Sequence, residues 1–338
     1  MAAATREIRL ASRPEGMPAE SNFELVEVPM PAPADGEVLV RNSYLSVDPY
    51  MRGRMRDTKS YVPAFAVGEV LQGGAVGQVI ASAGGPFDEG SWVLSMLGWR
   101  EHYVSAGDGL FPVDPALAPV STALGVLGMP GLTAYVGLTE IARPEPAETV
   151  FVSAAAGAVG SVAGQLARLA GCRVVGSAGS PEKVEHLTGE LGFDAAFNYK
   201  ERPVREALRE HCPDGIGVYF DNVGGDHLDA ALSRMNTFGR IALCGMVSGY
   251  NLEEPAPGPP NFARTLVRRL ALRGFIVFDH FAMHGEFVRA VGAHVKSGEL
   301  RYRETVREGI ESMPGAFVGL LQGENVGKML VRVGPDPA

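Results

Sequence analysis

The sequence predicts an α/β protein with a parallel sheet covered by helices on both faces, set behind a smaller, mostly β domain. Three observations predict it. From about Leu132 onward, strand-like runs alternate with helical ones. Before about residue 120 the chain is instead rich in Gly and Pro, with short β-branched runs such as Val38-Leu39-Val40 and Val76-Gly77-Gln78-Val79-Ile80 between turn signals, and no helix-period stretch of any length. The chain has 338 residues, 46% of them hydrophobic, which suffices for two domains with their own cores.

In the alternating region the expected strands are Thr149 to Val152, Arg173 to Gly176, Ala195 to Tyr199, Val218 to Phe220, Arg240 to Cys244 and Gly274 to Phe278. The helices expected between them are Ser161 to Ala170, Pro181 to Leu191, Val204 to His211, His227 to Met235 and Phe262 to Leu272. Chemistry marks several ends: Ser180 can cap a helix that has Pro181 at its first position, and Gly171 and Gly192 lie just past helix ends. The proline-rich stretch Glu254 to Pro260 must be a loop. After Gly298 the alternation stops, so the chain is expected to return to the first domain, giving domains of 1–125, 126–297 and 298–338.

The formal charge of -9, with no basic run longer than Arg268-Arg269, leaves no footprint for nucleic acid or an anionic membrane. Cys172, Cys212 and Cys244 are odd in number and widely spaced, which suggests neither a disulfide framework nor a cysteine zinc site and fits a reducing compartment. Arg6, Glu7 and Arg9 interrupt the apolar stretch a signal peptide needs, and no segment is apolar for long enough to span a bilayer. The expectation is a soluble cytoplasmic protein.

The strongest single signal is Val150-Phe151-Val152-Ser153-Ala154-Ala155-Ala156-Gly157-Ala158-Val159-Gly160-Ser161, a strand, a turn of small residues and a helix. Ala154, Gly157 and Gly160 form an A-x-x-G-x-x-G variant of the dinucleotide fingerprint. Small residues let a pyrophosphate approach the N–H groups at a helix start, where the helix dipole favours negative charge. Gly164, one turn on, would let the helix lie close to the sheet. The alternative is a tight turn with no ligand.

At the end of the second strand an NAD enzyme usually places a carboxylate on the ribose hydroxyls. This chain has Gly176-Ser177-Ala178-Gly179-Ser180 and then Pro181-Glu182-Lys183. Hydroxyls, helix-start amides and the Lys183 ammonium would accept a 2′-phosphate that a carboxylate would repel, with Glu182 pointing away, so the cofactor expected is NADP(H).

A hydride-transfer enzyme must also polarise its acceptor, with zinc or with a hydrogen-bond donor. The seven histidines form no HExxH pair, the small domain has no cysteine, and no serine sits in a GxSxG frame. Tyrosines in loops remain: Tyr50 in Ser46 to Arg52, and Tyr250 just after an expected strand. Either hydroxyl could donate to an enone carbonyl and stabilise the developing enolate; either could equally be a partly buried aromatic with a satisfied hydroxyl. Asp221-Asn222-Val223-Gly224-Gly225 follows another strand end, and is either a polar contact to the cofactor or a glycine turn that starts the next helix. His102, His211, His280 and His294 are expected to be surface or core residues.

Together these motifs resemble the zinc-independent medium-chain dehydrogenases/reductases, and among them the leukotriene/prostaglandin reductases, alkenal double-bond reductases and curcumin reductases. The carriers are SVDPYMRGRM at Ser46 to Met55, AAAGAVGSVAGQLA at Ala154 to Ala167, GSPEKV at Gly179 to Val184, FNYK at Phe197 to Lys200, FDNVGG at Phe220 to Gly225, GRIALCG at Gly239 to Gly245 and GENVGK at Gly323 to Lys328. The resemblance covers nearly the whole chain. It implies a Rossmann domain inserted in a GroES-like β-barrel catalytic domain, NADPH in the cleft between them, and reduction of the carbon–carbon double bond of α,β-unsaturated aldehydes or ketones.

Residue by residue, the resemblance implies pyrophosphate contacts from Gly157, Ala158, Val159 and Gly160, and 2′-phosphate contacts from Lys183 and Tyr199. Asn222 and the segment Cys244, Gly245, Met246, Val247, Ser248, Gly249 and Tyr250 would line the cofactor. Phe275, Ile276 and Val277 at a strand end would meet the nicotinamide carboxamide, and Asn325 would reach the cofactor from the carboxyl-terminal segment. Tyr250 would stand beside the nicotinamide ribose and Tyr50 in the substrate cleft. Zinc-dependent relatives carry Gly-His-Glu where this chain has Val67-Gly68-Glu69, so no metal is implied. Gly249 departs from the family's polar run and should loosen the loop before Tyr250. A homodimer through edge pairing of the Rossmann sheets is implied as well. A quinone reductase of the same superfamily and an NADP-binding protein without catalysis are the alternatives.

Overall fold

The computed structural model describes residues 4–337. The chain divides into two units, one running up to Gly125 and resuming at Glu304, the other Val126–Arg303.

In the second unit six parallel strands lie in the order Ala195–Asn198, Arg173–Ala178, Thr149–Val152, Ile216–Asp221, Met235–Leu243 and Ala271–Gly274. Numbered along the chain this order is 3-2-1-4-5-6, the Rossmann arrangement, and it reverses direction between Thr149–Val152 and Ile216–Asp221. All six residues of Ile216–Asp221 are buried, as expected of a central strand covered on both faces. Phe151 stacks on Tyr219 at 4.8 Å and on Phe197 at 6.1 Å, which fixes three strands against the helices Val204–His211 and Gly225–Arg234 on that face.

Several elements differ from the sequence expectation. The sixth strand is Ala271–Gly274 and not Gly274 to Phe278, because its partner runs only to Leu243 and the β-rich residues beyond Gly274 find no ladder. They become a tight turn, Val277–Met283. The expected helix Phe262 to Leu272 shrinks to Arg264–Arg268, closed by Arg269 at φ 52°, because Ala271 onward is taken by the sheet edge. Pro181 to Leu191 is a helix over Pro181–Glu185 that widens into a π-turn over His186–Glu190.

The chain leaves this unit after Arg303, later than Gly298. Buried Gln165 on helix Ala158–Leu169 holds Arg301 from both sides, donating to its carbonyl at 2.8 Å and accepting from its N–H at 2.8 Å. That clamp keeps the segment after Gly298 with the second unit.

In the first unit the strand Val38–Ser46 is the organiser. It pairs with Ala75–Ser82 along one edge; along the other it pairs with His102–Ser105 through Val38 to Arg41 and with Lys328–Arg332 through Tyr44 to Ser46. The pairing path runs from Glu304–Glu308 to Phe111–Val113 without returning on itself, so among the described residues the sheet is open and no closed barrel forms. Its core centres on Trp99, fully buried, stacked on Phe23 at 5.5 Å and meeting Phe317 edge-on at 6.1 Å. One short helix, Met51–Arg54, stands where the sequence suggested none, directly after Tyr50.

Candidate functional site

The glycine turn lies at the carboxyl end of Thr149–Val152, beside the point where the sheet reverses, which is where open α/β sheets bind ligands. Ala154 takes φ 48° and Gly157 begins the 12-residue helix Ala158–Leu169. First-turn amides of a helix have no intrahelical acceptor, so Ala158, Val159 and Gly160 present N–H groups and the positive end of the dipole.

The two glycines differ in purpose. A Cβ on Gly157 would meet only the Ala154 carbonyl, at 3.3 Å, leaving the approach to the helix start open. A Cβ on Gly160 would lie 2.5 Å from the same carbonyl and 2.8 Å from Ala155 Cα, so Gly160 is required by the turn's own packing. Gly164 has the same character, since its Cβ would fall 1.9 Å from the Phe193 ring.

At the end of Arg173–Ala178, Ser180 caps the helix Pro181–Glu185, its hydroxyl accepting from the Lys183 N–H at 3.3 Å. Tyr199 and Lys200 come to the same place from the neighbouring strand: a Cβ on Gly179 would lie 3.0 Å from the Tyr199 hydroxyl and 3.3 Å from Lys200 Cε. Burial pushes the Lys183 ammonium below its usual pKa and the nearby Lys200 lowers it further, with Glu182 opposing. Lys200 was not among the site residues expected from sequence, although it ends the FNYK motif; its only signal was adjacency to Tyr199. An ammonium depressed by burial and by a second lysine, beside a phenol and a helix cap, is an arrangement that a bound dianion would relieve.

The remaining loops interlock. Asn222 donates from its side chain to the Ser153 carbonyl at 2.8 Å, tying the turn after the fourth strand to the glycine loop. Ser248 bonds Val223 O twice, from its N–H at 3.1 Å and from its hydroxyl at 2.6 Å. Val247–Gly249 is therefore a tied 3-10 turn despite Gly249, not a loosened loop. The Tyr250 hydroxyl accepts from the Met246 N–H and lies near Cys244 and Gly245; burial raises its pKa, so the phenol stays protonated and remains a donor. Cys244 is half-buried near Asp221, and desolvation pushes its thiol up to about 12, which makes it inert. The Phe275 ring packs edge-on against Phe220 and over Gly137, so its side chain is used in packing just past the strand end at Gly274.

Tyr50 and Asn325 belong to the first unit. The Tyr50 hydroxyl is buried, its pKa raised by burial and by Asp48 and lowered by Arg54. Asn325 is buried and donates to Gly327 O at 2.6 Å, so its N–H is used within its own turn. Beside it lies a group missed in the sequence: Lys328, fully buried, donates to Val47 O and Met329 O at 2.8 Å each and pairs with Asp48 at 3.2 Å. Among the described residues no three His, Cys, Asp or Glu side chains gather as a metal-ligand set.

Comparison with known proteins places the chain in a family. A family model described as the N-terminal domain of oxidoreductase matches residues 6–113, and one described as zinc-binding dehydrogenase matches residues 158–293. A putative NADP-dependent oxidoreductase of Bacillus subtilis is 47% identical, with 100% of each chain covered. The NADP(+)-dependent 2-alkenal reductase of Nicotiana tabacum is 45% identical, over 97% of this chain and 97% of its own. The crystal structure of CurA from Vibrio vulnificus in complex with NADPH matches at TM-score 0.93 and 45% identity, covering 98% of this chain and 99% of that one.

Proposed function

Because the chain belongs to the medium-chain dehydrogenase/reductase family of prostaglandin, alkenal and curcumin reductases, we propose that it reduces the carbon–carbon double bond of α,β-unsaturated aldehydes and ketones with NADPH. The observation that carries the reading is local: an open helix start behind Gly157, together with Lys183 and Lys200 at a second-strand end that holds no carboxylate. That combination fits a pyrophosphate and a 2′-phosphate on one nucleotide.

When bound, NADPH supplies the hydride. The amides of Ala158, Val159 and Gly160 hold the pyrophosphate, and Ser180, Lys183, Tyr199 and Lys200 hold the 2′-phosphate. Asn222 and Cys244 to Tyr250 line the nicotinamide half, with the Phe275 to Val277 backbone toward the carboxamide. Tyr250, kept protonated by burial, donates its O–H to the substrate's carbonyl oxygen as negative charge develops there. Tyr50 is the alternative hydroxyl donor.

The protein acts as a homodimer joined at the free edge strand Ala271–Gly274, whose surroundings expose Phe238, Phe262, Leu266 and Val267. Its compartment is the cytoplasm, in keeping with three unpaired cysteines. No helix among the described residues is long and apolar enough to cross a membrane.

The test is NADPH consumption with a panel of 2-alkenals, enones and quinones, with NADH as control. Loss of the double bond from the enals and enones, with NADPH strongly preferred, is expected. Intact double bonds alongside rapid quinone turnover would replace the reading with a quinone reductase.

A further inference from the structure

Asp221 ends the strand Ile216–Asp221 at the sheet's reversal point, yet its carboxylate does not face a ligand: it is completely buried. One oxygen, Oδ1, accepts four bonds, from the Tyr219 hydroxyl at 2.6 Å, the Ser153 hydroxyl at 3.2 Å, Val223 N–H at 2.9 Å and Gly224 N–H at 2.8 Å. The other oxygen, Oδ2, is buried with no partner. A buried carboxylate met only by neutral donors is costly, so its retention at this position calls for a task.

The donors name the task. Ser153 opens the glycine loop and lies 68 residues away in sequence; Val223 and Gly224 form the turn that carries Asn222. Ser153 Oγ in turn accepts from Asn222 N–H at 3.0 Å, and Asn222 returns a bond to Ser153 O. Gly224 at φ 70° and Gly225 at φ 48° let the turn fold back so that two of its amides reach one oxygen. The third loop hangs on the same residue through its backbone, since Asp221 O accepts from Cys244 N–H at 2.9 Å and Gly245 N–H at 3.0 Å.

We propose that Asp221 is a positioning residue of the dinucleotide site, a single acceptor that fixes the Ser153 loop and the Asn222 to Gly225 turn against each other and so shapes the surface the nucleotide meets without touching it. The proposal rests on the NADPH reading above. It assigns the work to hydrogen-bond acceptance and not to negative charge. An asparagine can keep one oxygen at the position of Oδ1 and place its NH₂ where Oδ2 has no partner.

The test is NADPH titration by fluorescence on wild type, Asp221→Ala, Asp221→Asn and Ser153→Ala, with steady-state kinetics in varied NADPH. Expected results are a Kd raised at least about tenfold in Asp221→Ala, most of that loss recovered in Asp221→Asn, and an intermediate loss in Ser153→Ala. The loss falls on KM for NADPH and much less on kcat. Wild-type affinity in Asp221→Ala, or Asp221→Asn as weak as Asp221→Ala, overturns the proposal. Should Asp221→Ala fail to fold, the decision passes to Ser153→Ala, where unchanged NADPH affinity overturns it and weakened affinity in a protein of wild-type thermal stability supports it. Wild type that itself fails to bind NADPH removes the cofactor reading first, and the proposal with it.

Discussion

Lys183 and Lys200 approach one another at a place where burial already disfavours charge, an arrangement that an isolated protein tolerates and a bound dianion relieves. Removing either as Lys183→Ala or Lys200→Ala should weaken NADPH binding by about tenfold and leave NADH binding nearly unchanged, because only the 2′-phosphate needs them. Fluorescence titrations with both nucleotides decide it; equal losses for the two would place the lysines elsewhere in function. Tyr250 has a different signature. Its phenol is held by the Met246 amide and kept protonated, so Tyr250→Phe should lower kcat about tenfold to a hundredfold with NADPH affinity intact. Single-turnover rates at saturating NADPH check this, and an unaltered rate would shift the donor to Tyr50 or water. Tyr250 and Lys183 were legible in the sequence because each follows a strand end by a few residues. Lys200 and Lys328 were not, since a lysine's surroundings depend on which distant strand it lies beside.

Helix Ala158–Leu169 owes its close seat on the sheet to Gly164 and to Gly176, both crowded by Phe193. Gly164→Ala puts a methyl group 1.9 Å from that ring, so stability should fall by about 1–3 kcal/mol through overpacking, read from urea unfolding. A gain in stability, which helix propensity alone would give, would show that Phe193 moves aside freely. Helix Gly225–Arg234 carries a second dependence. His227 is buried against the Tyr199 ring, and burial lowers its pKa from 6.5 to about 4, with Asp226 opposing. The native state therefore resists protonating a group that the unfolded chain protonates readily. The stability His227 allows is complete above about pH 6.5 and declines as pH falls toward 4. His227→Gln should flatten that part of the acid limb in thermal melts taken between pH 7 and pH 4, about the interval the two pKa values define; an unchanged slope would assign the acid sensitivity to other groups.

At the scale of the molecule the free edge Ala271–Gly274 is the feature that asks for a partner. Leu266 is 82% exposed, Phe238 64%, Val267 60% and Phe262 56%, all in the segments flanking that strand or its neighbour. Large apolar groups gathered near an open sheet edge suit a second copy of the chain. Sedimentation equilibrium should find a dimer of the 35.8 kDa chain, and Leu266→Glu should shift it toward monomer with the monomer still folded. A wild-type monomer would remove the edge-pairing reading.

Local sequence alone determined the strand, small-residue turn and helix from Val150 to Ser161, the missing carboxylate after Arg173–Ala178, and the alternation that demands a parallel sheet. These are written in neighbouring residues, because burial periodicity, backbone freedom at glycine and helix-start chemistry act within a few positions. Tertiary structure decided the rest. Asp221 reads in sequence as a residue at a ligand-facing strand end, but donors 2 and 68 residues away turn it inward. The run Gly274 to Phe278 has the composition of a strand, yet the strand beside it ends at Leu243 and only Ala271–Gly274 is paired. The family resemblance implies a barrel in the first unit, but closure depends on whether the two outermost strands meet, and among the described residues they do not pair. The two strand ladders, and for Asp221 the bond from Ser153, join segments far apart in the chain, and a hydrogen bond or ladder of that kind leaves no periodic trace in the residues on either side.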